Sequence, residues 1–185
     1  HFLASFRDIT QRKLDQEQVK FLAYYDALTN LPNRRFLNQN IEKVITTAQN
    51  NGHIGGLLFI DLDRFKNIND SMGHHVGDAL LVEASKRILD CLSEADIAVR
   101  MGGDEFVLLI PVLGGNAEEA QSRVTLLAET LLSQLSQVFC LEQTDLFISA
   151  SIGISLFPFD GANDAQVLRQ ADTAMYEAKE SGRNA

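Results

Sequence analysis

Apolar residues in this 185-residue chain fall into segments of differing period, and each change of period marks a predicted element. Residues 53–63, HIGGLLFIDLD, carry an almost unbroken apolar run that ends in acid, which predicts a buried strand. In residues 71–92 the period changes. Leu80, Leu81, Ala84, Ile88 and Leu92 recur near every 3.6 residues, which predicts a helix with one buried face. Strands are predicted over 97–101 and 105–111, flanking Gly102-Gly103, a dipeptide suited to a tight hairpin. A helix over about 117–137 follows. The strand-like stretch QVFCLEQTDLFISASIGISLF then folds back on itself near Gln143 to Asp145, and a last helix over about 164–181 ends at Gly182.

Upstream, DALTNLPNRRFL is turn chemistry leading into a helix. Asn30 tolerates the left-handed conformation, Pro32 cannot sit within a helix, and Asn33 is placed to cap a helix running to about Asn50, closed by Asn51-Gly52. The first 25 residues begin with alternation and turn polar and helix-forming. Leu14, Phe21 and Leu28 stand seven apart, a spacing that fits either a short seam for a partner helix or a linker helix packed on its own domain. Hairpins joined by helices define an α+β fold, with a mostly antiparallel central sheet flanked by helices.

Composition adjusts this picture only slightly. With 45% hydrophobic and 22% charged residues the chain reads as a soluble globular protein of one ordinary domain. No apolar run approaches the ~20 residues that cross a bilayer, so no membrane contact is expected from this segment, and a cytoplasmic location is. The start at His1 rather than Met suggests a piece excised from a longer protein. Cys91 and Cys140 form no CxxC and are expected to be buried reduced thiols. A net charge of −9 and no basic stripe argue against a nucleic-acid partner. Any phosphate must then be met by a metal ion and a few placed cations.

The acids supply candidate chemistry. One strand ends in Asp61-Leu62-Asp63, and the hairpin opens the next with Asp104-Glu105. Adjacent carboxylates against an apolar strand need a positive partner, since burying them unpaired costs several kcal/mol or shifts their pKa. If those strands are neighbours, Asp61 and Asp104 converge and suit a hard divalent cation, and two such ions suit phosphoryl transfer. The plain alternative is a solvated turn or a salt bridge. Downstream, DLDRFKNINDSMGHHVGDALL groups Lys66, Asn69, Asp70, His74 and Asp78. Asn69 and Asp78 together match guanine, the first reaching its acceptor edge and the second accepting from N1–H and the exocyclic amine. Lys66 is a mobile charge suited to phosphate. Each also has a structural reading: an Asx turn or cap for Asn69 and Asp70, loop geometry for Gly73 and Gly77. A P-loop, a Gly-x-Ser-x-Gly elbow and a zinc-spaced Cys/His set are all absent from the sequence.

Taken together, GGDEF at 102–106, DALTNLPNRR, DLDRFKNIND, GHHVGD, SIGIS and ADTAMYEAKESGRN resemble the GGDEF domain of the diguanylate cyclase family, in the family's order and spacing over about 26–184. The resemblance implies a fold like that of nucleotidyl cyclases and polymerase palms. It implies that two GTP condense to cyclic di-GMP and two pyrophosphates across a homodimer, with Mg2+ or Mn2+, two per site. By position it makes Asp61, the Leu62 carbonyl, Asp104 and Glu105 metal contacts and Asp104 the proton acceptor. Lys66 stabilises the transition state, and Asn69, His74 and Asp78 contact the substrate. Lys179 and Arg183, four apart and read as sharing a face of the last helix, contact phosphate. Residues 1–13 resemble the tail of an upstream PAS sensor domain, 14–25 a linker helix, and 26–185 the GGDEF domain. The style of 24–35 is common where an EAL phosphodiesterase domain follows.

One departure stands out. Many members carry R-x-x-D five residues before the glycine pair as a product-binding inhibitory site, and here Ser93-Glu94-Ala95-Asp96 occupies it. Serine has no stand-in for the bidentate guanidinium fork. An active cyclase is the preferred reading. A catalytically idle, GTP-binding domain that regulates an EAL neighbour is the alternative.

Overall fold

The computed structural model describes residues 21–141, 144–158 and 163–185. Its elements are α1 (Arg34–Asn50), β1 (Ile54–Leu62), α2 (Phe65–Met72), α3 (His74–Asp90), β2 (Ile97–Gly102), β3 (Glu105–Gly114), α4 (Ala117–Leu135), β4 (Phe139–Leu141), β5 (Thr144–Leu146), β6 (Ala150–Phe157) and α5 (Asp164–Glu180). The main sheet has the order β2-β3-β1-β6 with every neighbouring pair antiparallel, while β4 and β5 form a separate ribbon. This is the α+β architecture expected, with the split β-α-β connectivity in which the first strand is central.

Because β1 lies mid-sheet with helices on both faces, it is buried from Gly55 onward, which explains its unbroken apolar run. Alternation divides its side chains. Leu58, Ile60 and Leu62 join Phe106, Leu108 and Ile110 of β3 in a core closed by α3 and α4, through Leu80, Ile88 and Leu131. Leu57 and Phe59 join Val107 and Leu109 in a second core closed by α1 and α5, through Ile41, Val167 and Met175. By the same alternation Asp61 belongs to the α5 side. Pro111 does not end β3 as expected. β2 pairs no further along than Leu109, and the β1 register shifts beyond Ile110, so no partner needs the missing N–H.

Asn33 caps α1, its side chain accepting from the amides of Arg35 and Phe36, and Asn30 is left-handed at φ 59°. The helix expected over 71–92 is instead two, because Gly73 at φ 90° and ψ 158° breaks the path between α2 and α3. Residues 21–24 are helical. Phe21 is exposed and stacks on Tyr25 at 4.7 Å, whereas Leu28 packs on the domain's own core, so these two do not form one seam. Leu14, the 1–13 segment and most of the 14–25 linker lie outside the described residues. Both cysteines are free, but Cys140 is exposed, since β4 turns its side chain outward while Phe139 fills the core. Among the described residues no helix is long and apolar enough to cross a membrane.

Candidate functional site

The antiparallel register puts Asp61, near the end of β1, directly opposite Glu105, the first residue of β3, so both side chains stand on the α5 face. Gly102 (φ 137°) and Gly103 (φ 54°) turn the β2–β3 hairpin tightly enough to set Asp104 beside them, and the Leu62 amide donates to the Asp104 carbonyl at 3.3 Å. The two acidic segments therefore do meet at one sheet end.

Asp61 is 7% exposed, and its Oδ2 lies 2.7 Å from Lys179 Nζ on the last turn of α5. Burial pushes the Asp61 carboxyl above its ordinary range. Lys179 counters this, and the negative charges of Asp104 and Glu105 add to it. Asp61 thus feels two further negative charges and is bonded to one ammonium. That oxygen-rich set fits a hard divalent cation. It is not a closed cage, because among the described residues no group of three or more acidic, histidine or cysteine side chains stands ready to hold a metal. Mg2+ commonly binds through one or two carboxylates plus substrate phosphates.

Asp63, two residues on, has a different fate. It accepts from Ser149 Oγ at 2.6 Å, Ser151 Oγ at 2.8 Å and the Asn184 amide at 3.2 Å, with Arg183 Nε at 3.9 Å. It ties the start of β6 and the chain after α5 to the site rather than offering a free carboxylate. Arg183 itself does not share a helix face with Lys179. Helix α5 stops at Glu180, Gly182 turns the chain at φ 130°, and Arg183 follows in the left-handed region at φ 66°.

Arg64, at φ 60°, redirects the chain into α2, whose first turn has no side-chain cap; the Asn67 amide donates back to the Arg64 carbonyl at 2.9 Å, which leaves the Phe65 and Lys66 amides without a side-chain acceptor. Phe65 anchors this turn in the core and Lys66 projects into solvent. Asn69 ends up against α3, its Oδ1 buried without a hydrogen-bond partner and seated on Gly77. A Cβ at Gly77 would come within 2.0 Å of that oxygen. Gly77 is thus inside a helix, and its role is close packing rather than the loop geometry expected. With Oδ1 held there, the amide nitrogen of Asn69 faces the other way. His74 and Asp78, one turn apart at the start of α3, are both exposed.

Two residues absent from the sequence-based site position its hairpin. Arg100 donates from Nε and Nη2 to the Gly103 carbonyl at 3.1 and 2.8 Å, and from Nη1 to Asp26 Oδ1 at 2.8 Å. Asp26 also accepts from the amide and hydroxyl of Thr29. Burial acts to raise its pKa, but the bonds from Arg100 and Thr29 outweigh burial and hold it below the ordinary range. The Asp-x-x-Thr spacing is a recognisable turn signal for Asp26; Arg100 carries none. At the position of the R-x-x-D arginine, Ser93 closes its own turn, donating from its amide and hydroxyl to Asp96 Oδ2 at 2.9 and 2.7 Å.

A palm-like antiparallel sheet with acids at the end of its central strand defines the class of nucleotidyl cyclases. The comparisons make this specific: the family model "Diguanylate cyclase, GGDEF domain" matches residues 23–185, and the chain belongs to the GGDEF family. It is 45% identical over 163 residues to the bifunctional diguanylate cyclase/cyclic di-GMP phosphodiesterase MucR of Pseudomonas aeruginosa, covering 88% of this chain and 23% of that protein. It is 39% identical to the cyclic di-GMP phosphodiesterase PdeR of Escherichia coli, covering 98% of this chain and 26% of that one. The chain thus spans about a quarter of the length of these curated relatives. Among solved structures, the GGDEF domain of TpbB from P. aeruginosa superposes with a TM-score of 0.80 at 36% identity, over 86% of this chain and 91% of that one. The coiled coil and GGDEF domain of DgcB from Caulobacter crescentus, in complex with c-di-GMP, gives 0.85 at 27% identity, over 99% and 94%.

Proposed function

We propose that this domain is a diguanylate cyclase that condenses two GTP into cyclic di-GMP and two pyrophosphates, each of two antiparallel protomers holding one GTP. The observation that carries the reading is the meeting of Asp61, Asp104 and Glu105 at one sheet end with Lys179.

In this reading Asn69 and Asp78 select guanine, and His74, one turn before Asp78, borders the nucleotide. The uncapped first turn of α2, Lys66, Lys179 and Arg183 receive the triphosphate, in the manner of an anion at a helix N-terminus. Asp61, the Leu62 carbonyl, Asp104 and Glu105 hold the divalent metal, Mg2+ or Mn2+, two per site. When bound, the metal neutralises phosphate charge and polarises the reacting oxygens. Asp104 takes the proton of the 3′-hydroxyl, whose oxygen bonds to the α-phosphorus of the partner's GTP as the bond to pyrophosphate breaks. Lys66 offsets the charge developing on the leaving phosphates. Because the nucleophile and the attacked phosphate sit on different protomers, the working unit is a homodimer. Segment 1–13 as the tail of a PAS sensor, and an EAL domain beyond 185, complete the proposed arrangement of a cytoplasmic signalling protein.

A second reading, an idle domain that binds GTP and regulates an EAL neighbour, is favoured by the similarity to PdeR, a protein named only as a phosphodiesterase. One experiment separates them: incubation with GTP and Mg2+, with chromatography for cyclic di-GMP, on the wild type and Asp104→Asn. Formation by the wild type, lost by at least a hundredfold in the variant, is expected for a missing transition-state charge partner. GTP binding without product supports the idle domain.

A further inference from the structure

In the reading just given, Lys179 serves a triphosphate and Asp61 serves a metal, yet in the ligand-free protein the two are bonded to each other at 2.7 Å. The pair is well sheltered, with the Asp61 and Lys179 side chains 10% and 25% exposed. No other cation reaches Asp61 among the described residues, whereas Arg183 stands 3.9 Å from Asp63, a carboxylate already filled by Ser149, Ser151 and the Asn184 amide. A single ammonium thus does two jobs that exclude each other. Its compact charge on a flexible stem can leave one anion for another without disturbing α5.

We propose that Lys179 is a resident cation that keeps Asp61 occupied until metal and triphosphate arrive together, so that neither binds well alone. This rests on the metal and phosphate assignments of the proposed function. A metal ion by itself must displace the ammonium and strand it beside the newly bound cation. A triphosphate by itself must pull Lys179 away and leave Asp61 facing Asp104 and Glu105 with no counter-charge. Arriving together, the metal replaces Lys179 on Asp61 and the phosphates receive Lys179, so both costs vanish. The coupling is reciprocal by linkage: the nucleotide tightens the metal by the factor with which the metal tightens the nucleotide.

Mn2+ binding, read from the loss of the free-ion electron paramagnetic resonance signal, tests this without turnover. The proteins are the wild type, Lys179→Met, Lys179→Arg and Arg183→Met, each with and without a GTP analogue whose α,β-bridge is methylene. In the wild type the analogue should tighten Mn2+ by about tenfold or more, within the usual range of site coupling. Lys179→Met should bind Mn2+ alone about tenfold more tightly than the wild type and lose most of the enhancement by the analogue. Lys179→Arg keeps a positive charge on Asp61 and should bind Mn2+ alone no more tightly than the wild type. Arg183→Met removes a nearby charge without vacating Asp61 and should leave binding of Mn2+ alone within about threefold, below the range of site coupling. Equal affinity of the wild type and Lys179→Met for Mn2+ alone overturns the exchange while leaving the metal site standing. Absence of Mn2+ binding to the wild type even with the analogue overturns the site assignment itself, and the exchange with it.

Discussion

Replacing Gly77 by alanine would separate the proposed guanine contact of Asn69 from the fold. The new Cβ would lie 2.0 Å from Asn69 Oδ1 and 3.0 Å from its Cγ, with the Phe65 ring edge at 3.2 Å. Ordinary contact begins near 3.4 Å, so the amide must retreat by well over 1 Å, while the ring has only a few tenths of an ångström to give. The obstructing atom is the far end of a flexible side chain, not backbone, so the strain is released by moving Asn69. Inside a helix alanine is favoured over glycine by about 0.8–1 kcal/mol, which offsets the rotamer change. The expected melting temperature is therefore unchanged or slightly raised. A hydrogen bond, in contrast, does not survive a shift of that size. Its net worth of about 0.5–1.5 kcal/mol converts to a two- to tenfold loss of GTP affinity. Titration calorimetry with the methylene GTP and ATP analogues reads both affinities, and the ratio between them should fall with the loss. Unchanged GTP affinity in a protein that melts like the wild type would refute the argument, because Asn69 would have moved without consequence.

Asp61→Asn should raise the melting temperature of the metal-free protein while abolishing cyclisation. The folded carboxyl has a raised pKa, so the folded state binds its proton more strongly than the unfolded state does. Stability is then regained as pH falls from the raised value toward the ordinary one and is lost again above it; a neutral amide escapes that loss at pH 7. A melting temperature lowered by the amide would show that the Lys179 pair outweighs burial. Rate per protein should climb with concentration wherever sedimentation finds monomer, since in the proposed mechanism one protomer supplies half a reacting pair; a flat profile there contradicts the homodimer. Cyclic di-GMP should inhibit only in competition with GTP, because Asp96 is engaged by Ser93 and the site lacks a charged bond worth roughly 1.5–3 kcal/mol. Noncompetitive inhibition at low product concentration would reveal another product surface.

What could be read from the chain alone was local. The apolar runs of β2 and β3, the glycine pair and the Asn33 cap are each decided within a few residues, and they recovered the antiparallel α+β layout. Asp61 and Asp63 show where this stops. The two acids are chemically identical and stand two residues apart, Asp61 inside β1 and Asp63 just past its end. Serines 86 and 88 residues further on, with the Asn184 amide, determine that Asp63 is saturated while Asp61 is left to Lys179. The break at Gly73 was hidden because apolar spacing resumes in phase beyond it, although a left-handed glycine reverses the path. Lys179 and Arg183 looked like helical neighbours because spacing says nothing of where the last turn ends. Arg100 was invisible for a similar reason, since its partner Asp26 lies 74 residues earlier.

That arginine has a mechanical consequence. The helix at 21–24 is fastened to Asn33 through the Tyr24 and Ala23 carbonyls, and Arg100 is bonded in turn to Pro32, Asp26 and Gly103. The stem through which the chain reaches the sheet and the loop that bears Asp104 are therefore parts of one stiff bracket. A twist applied at residue 21 would be handed through these bonds to the hairpin that bears Asp104. It would then turn the cleft as a unit before it altered the distances inside it.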